Sequence, residues 1–82
     1  LRNPATRPFF ERLKMQLQPH QQRIVDEKTE LDEKLSKLTT FVNSEKFYAI
    51  VSDEDERSRL VRQQQLMFDY SEILGERIAA FK

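Results

Sequence analysis

A chain of 82 residues, about half the usual span of a domain, has room for one small core and cannot be a two-domain enzyme. It has no cysteine and a single histidine, His20, which excludes disulfides, thiolate zinc sites, cysteine nucleophiles and Cys/His metal clusters, and its 14 basic and 14 acidic residues leave no positive excess for coating DNA. Val, Ile, Leu and Phe supply 23 residues, enough to fold but few for a core, so self-association is the expected source of added stability.

Charge is unevenly placed. Residues 1–18 carry +3, 19–43 carry −1, 44–56 carry −4 and 57–82 carry +2, so both ends are basic and the middle is acidic. No apolar run approaches the ~18–20 residues of a membrane span and no signal-type segment is visible, so a cytosolic protein without a membrane partner is expected. The only glycine is Gly75 and all three prolines precede residue 20; with so few breakers, helices are the default reading and strands have little support.

Within residues 1–18, Phe10, Leu13 and Leu17 fall at i, i+3, i+7, one face of a short helix with Pro8 suited to its first turn. Pro19 then opens a long helix over 19–43, about 36 Å in length. Its apolar residues Ile24, Leu31, Leu35, Leu38 and Val42 are spaced 7, 4, 3, 4, a coiled-coil-like seam. Glu30–Lys34 and Glu33–Lys37 stand at i, i+4 on the outer face, where such pairs add a few tenths of a kcal/mol.

Residues 44–52 break the period but hold Phe47, Tyr48, Ile50 and Val51, an apolar corner expected to pack over the end of a hairpin. Ser52 begins an S-x-x-D sequence that reads as a capping box, and the acidic run 53–56 suits a helix N-terminus. The second long helix covers 53–82. Along it Leu60, Met67, Leu74, Ile78 and Phe81 recur at 7, 7, 4, 3, while Leu66, Tyr70 and Ile73 form a second line displaced around the axis. One partner helix cannot cover both lines, and the spare line predicts a homo-oligomer. Gly75, which costs about 1 kcal/mol against Ala inside a helix, points to a close helix approach or to a tolerated flaw. The fold class is therefore all-α: one domain of residues 1–82, with a short N-terminal helix and a long antiparallel helical hairpin.

Catalytic chemistry has almost no support. His20, beside Pro19 at a helix start, has no neighbouring nucleophile motif and suits a solvent-facing or capping role better than a general base. There is no glycine-rich phosphate loop, the carboxylates alternate with basic residues at helical spacing, and no cofactor or metal is expected. Arg57, Arg59, Arg62 and Arg77 read as a mostly solvated face, with Arg57 and Arg59 four residues after Asp53 and Asp55. Lys28 is more informative: stepping back by seven from Leu35 places it on the apolar seam. It either snorkels or pairs with an acid there, or it points its ammonium into an inter-subunit pocket where an anion such as phosphate would meet it. Phe9 and Phe10 lie among Arg7, Arg12 and Lys14, a mixture that suits either docking of the short helix on the hairpin or stacking on a nucleotide base with cations near its phosphate.

The run His20-Gln-Gln-Arg-Ile-Val-Asp-Glu-Lys-Thr-Glu-Leu-Asp-Glu-Lys-Leu35, followed by Lys37-Leu38, Phe41-Val42, Phe47, Tyr70-Ser-Glu-Ile-Leu-Gly-Glu-Arg-Ile78 and Phe81, resembles the anti-CBASS cyclic-nucleotide sponges, small bacteriophage proteins, over roughly residues 19–82. The resemblance implies a homo-hexamer in the cytoplasm of the infected host. It would bind cyclic dinucleotides, and in some members cyclic trinucleotides at separate sites, without cleaving them, so that the messenger never reaches host effectors. It implies that Lys28 contacts the dinucleotide, that Phe9 or Phe10 stacks on a base in place of the family's usual tyrosine, and that Arg62 serves a trinucleotide site. The competing reading is a helical-hairpin module that binds another protein through the second apolar line of the last helix and needs no nucleotide.

Overall fold

The computed structural model describes residues 17–81, so the expected N-terminal helix, with Phe9 and Phe10, lies outside the described residues. Three helices follow in chain order: α1 (Pro19–Val42), α2 (Phe47–Ile50) and α3 (Glu54–Ala79). There is no strand among the described residues, and α1 and α3 pack along one another as the expected all-α hairpin.

Local chemistry sets the helix ends. Pro19 occupies the first helical position of α1, where its missing N–H costs nothing, and the Gln18 N–H just before it donates to Gln21 Oε1 at 3.0 Å. His20 follows on this exposed first turn. At the other end the Phe41 carbonyl, one of the last of the helix, accepts from both the Ser44 N–H at 3.0 Å and the Ser44 hydroxyl at 2.7 Å, so this terminal acceptor is satisfied. The cap of α3 differs from the expected one: Asp53, not Ser52, takes the N-cap position, its Oδ1 accepting from the Asp55 N–H at 2.9 Å. The Ser52 carbonyl is engaged by Arg57 instead. Glu54, Asp55 and Glu56 lie in the first turn of α3 and Arg77 in its last, matching the helix dipole at both ends.

The corner is only partly the apolar plug that its composition suggests. Phe47 is buried, edge-on to Phe41 with ring centroids 5.4 Å apart, a favoured aromatic geometry, but Tyr48 and Ile50 are exposed. A single helical turn has one inner face, and Phe47 fills it. Nor do Arg57 and Arg59 pair as their spacing suggests. The Arg57 guanidinium donates to the carbonyls of Val51 at 2.8 Å and Ser52 at 2.9 Å and lies 4.7 Å from the centre of the Tyr48 ring, so this cation closes the bend. Arg59 pairs with Glu56 at 2.7 Å and reaches Asp53 at 3.9 Å. Neither Glu30–Lys34 nor Glu33–Lys37 forms an ion pair, in keeping with the small energies of exposed pairs.

Along the stem, cross-helix contacts fix one antiparallel register. Gln64 Nε2 donates to Thr39 Oγ1 at 3.0 Å, Ser71 bonds to Asp32, and Gly75 faces Lys28, so each step along α1 is matched by an equal step back along α3. The seam of α1 is Val25, Lys28, Asp32, Leu35, Thr39 and Val42, and that of α3 is Leu60, Gln64, Met67, Ser71, Leu74 and Ile78; both alternate steps of three and four. Ile24, Leu31 and Leu38 flank this seam and are half-buried, while Val25, beside Ile24, is buried. Leu74 is the most deeply buried side chain of the stem. The second line of α3 stays open, with Leu66 67% exposed and Tyr70 and Ile73 also exposed.

Candidate functional site

The seam is interrupted by charge at one place. Lys28 Nζ donates to Asp32 Oδ2 at 2.9 Å, one turn further along α1, and to Ser71 Oγ on α3 at 2.7 Å. The Ser71 hydroxyl in turn donates to Asp32 Oδ1. The three side chains thus close a ring across the helix pair. Heptad position explains why they meet: Lys28 and Asp32 are successive inward positions of α1, and Ser71 is the inward position of α3 at the same level.

The members of the ring differ in access. Ser71 is 7% exposed, and its hydroxyl both accepts and donates. The Lys28 and Asp32 side chains keep 30% and 45% exposure, so the ring has a buried hydroxyl behind and an ion pair open to solvent in front. The Ser71 hydroxyl foremost, and then the Lys28 ammonium, hold the Asp32 carboxyl below its ordinary pKa; partial burial acts in the opposite sense. An ammonium has three N–H donors, and among the described residues two are used here. The third is left for a solvent-side acceptor. Lys28 therefore pairs with an acid, as one of its two sequence readings allows, and still presents charge outward.

Gly75 lies beside this ring. A Cβ at Gly75 would stand 3.6 Å from Lys28 Cε, which is ordinary contact, so close helix approach does not demand glycine here. Its absence of a side chain leaves room next to the lysine stem.

Arg62 belongs to a different face. It stands nine residues before Ser71 on α3, about 13.5 Å along the axis and half a turn around it, so Lys28 and Arg62 are not brought together within one chain. Arg62 lines an open groove of about 450 Å³ with Arg59, Gln63, Leu66, Met67 and Tyr70, in which two guanidiniums border an apolar and aromatic surface. A second groove, of about 460 Å³, includes Leu35, Thr39, Gln64 and Phe68 in its lining. Phe9 and Phe10 lie outside the described residues, so nothing in this geometry places them.

Sequence reasoning missed Asp32 and Ser71. Asp32 was within reach, since i+4 from Lys28 is the natural position for its partner. Ser71 had a weaker signal: it fills the gap in the 4, 3, 4, 3 series from Leu60 to Leu74 and so had to face α1. Among the described residues no cluster of acidic and histidine side chains could hold a metal ion, and no helix is long and apolar enough to cross a membrane.

No curated protein and no solved structure matches the chain. Residues 18–80 match the model of the Sequestin family, a span that contains both long helices and the complete Lys28–Asp32–Ser71 ring. The match agrees with the sponge family that the sequence resembles, and it supports a sequestering role and a small ligand. With this match over most of its length, the chain belongs to the Sequestin family.

Proposed function

We propose that the protein is a phage-encoded sponge that binds cyclic dinucleotides without cleaving them and so withholds the messenger from host CBASS effectors. The observation that carries this reading is Lys28: a member of a sequestering family holds, on an otherwise mainly apolar seam, an ammonium with one N–H not engaged by any described residue and with part of its surface open. A phosphodiester is the natural acceptor for such a group. Phe9 or Phe10 provides the ring on which a base stacks. The Arg62 groove, with guanidiniums beside Tyr70, is suited to a second ligand such as a cyclic trinucleotide. The exposed line Leu66, Tyr70 and Ile73 is the surface through which copies assemble, with a hexamer expected from the family resemblance.

Calorimetry against cyclic di- and trinucleotides, followed by heat release and recovery of the ligand, tests the proposal. The expected result is saturable binding with the ligand recovered intact. Absence of binding at tens of micromolar, or recovery of linear products, overturns it. The same exposed line supports the second reading, a protein-binding hairpin without a nucleotide ligand, and light scattering separates the two on assembly: a sponge is oligomeric without its ligand, whereas a free docking face leaves a monomer near 10 kDa.

A further inference from the structure

We infer that Asp32 and Ser71 are positioning residues for Lys28, holding its ammonium in one orientation so that its remaining N–H is ready for a phosphate oxygen. This rests on the reading of Lys28 as a ligand contact. It goes further in assigning a role to two residues that need not touch the ligand.

The geometry favours a role beyond packing. A serine buried in a helix–helix seam gives up the apolar contact that Ala or Leu would make there, and Ser71 uses both hydrogen-bonding capacities of its hydroxyl on this ring. A lysine on a flexible four-carbon stem loses its rotamer freedom when it binds an anion. In the ring that freedom is already lost before any ligand arrives, because Nζ is fixed from two directions by groups on two different helices. Gly75 lies against the lysine stem, its Cβ position 3.6 Å from Lys28 Cε.

The negative charge of Asp32 opposes an incoming phosphate but does not cancel the attraction. An oxygen bonded to Nζ at about 3 Å lies, by tetrahedral geometry, about 5 Å from the Asp32 oxygen on the same ammonium, so the Coulomb terms stand in a ratio of about 1.6 to one in favour of the ammonium, and Asp32, 45% exposed, is further screened by water. Ser71, being neutral, orients without repelling, and its replacement is the cleaner test.

The test is a double-mutant cycle. The wild type, Ser71→Ala, Lys28→Ala and the double variant are titrated with whichever of cyclic di-AMP, cyclic di-GMP and cyclic GMP–AMP binds best, while the ¹⁵N–¹H signal of the Lys28 ammonium is followed by NMR. Positioning predicts that Ser71→Ala weakens binding about three- to tenfold, that Lys28→Ala weakens it more than tenfold, and that the double variant is no weaker than Lys28→Ala alone. It also predicts a slowly exchanging ammonium signal in the wild type, lost in Ser71→Ala and shifted by ligand. This signal carries the test should Ser71→Ala fail to fold. Unchanged affinity in Ser71→Ala, a Ser71 effect that persists without Lys28, or no protected ammonium in the wild type overturns the inference and leaves the ring a register lock. Lys28→Ala with undiminished affinity, or a wild type that binds none of the three, overturns instead the reading on which the inference rests.

Discussion

The two ends of the hairpin are built on different chemistry. At the bend, Phe41 and Phe47 pack edge to face and Arg57 ties the backbone carbonyls of the corner under the Tyr48 ring. Away from the bend, the seam alternates buried Val25 and Leu74 with the charged ring of Lys28, Asp32 and Ser71. An aromatic corner and a clamped backbone make a stable turn. A charged ring inside a seam contributes little net stability compared with apolar packing of the same volume. On the proposed reading, the contrast separates a part of the molecule devoted to folding from a part that gives up packing for ligand binding.

Core truncations should break the comparison most severely. Leu74→Ala, which removes the most deeply buried side chain of the stem, is expected to cost about 2–5 kcal/mol, and Phe47→Ala at the bend about 3–5 kcal/mol. Chemical denaturation checks both. A loss below 1 kcal/mol for either would mean that the corresponding end is not core.

Gly75→Ala acts in the opposite direction. Among the described residues the new methyl group would meet only Lys28 Cε, at 3.6 Å, so the gain in helix propensity, about 1 kcal/mol, should appear as a higher melting temperature. A lower melting temperature would show that the helix pair needs the glycine after all.

The smallest effect concerns acid. The Asp32 pKa is depressed in the folded state, so the ring contributes stability that is fully present above the unfolded carboxyl value of about 3.9 and is lost as pH falls through the lower folded value. Discounted for solvent screening, the contribution is about 0.2–1 kcal/mol. The stability difference between wild type and Asp32→Asn should therefore be constant near neutrality and shrink only below about pH 4. A difference that vanishes already near pH 6 would assign it to another group.

Much of the fold was legible because heptad spacing survives in the sequence. Apolar residues three and four apart, a proline at a helix start and an acidic run at another are local signals, and the hairpin follows from them. What was not legible depended on partners. Val25 was hidden by Ile24 beside it, since the two adjacent apolar residues offer seams only 100° apart. Tyr48 and Ile50 look like core residues by type, and only the one-turn geometry of α2 shows that a single inward position is available. Arg57 looks solvated in the sequence because its acceptors are backbone carbonyls, which composition does not reveal. Lys28 stood out as a cation at an apolar heptad position. Its cross-helix partner became visible only with the register, which joins positions 43 residues apart in the chain.

The central claim is that Lys28 serves a ligand, and a paired titration and thermal melt of the wild type and Lys28→Ala tests it most directly. Because Asp32 is partly open to water, losing its lysine leaves no buried unpaired charge, and the melting temperature should hardly change. Affinity for the cyclic dinucleotide should fall by about 1.5–3 kcal/mol, the range for a hydrogen bond to a charged group and more than tenfold in Kd. Unchanged affinity together with a sharply lowered melting temperature would contradict the account and make Lys28 a structural residue.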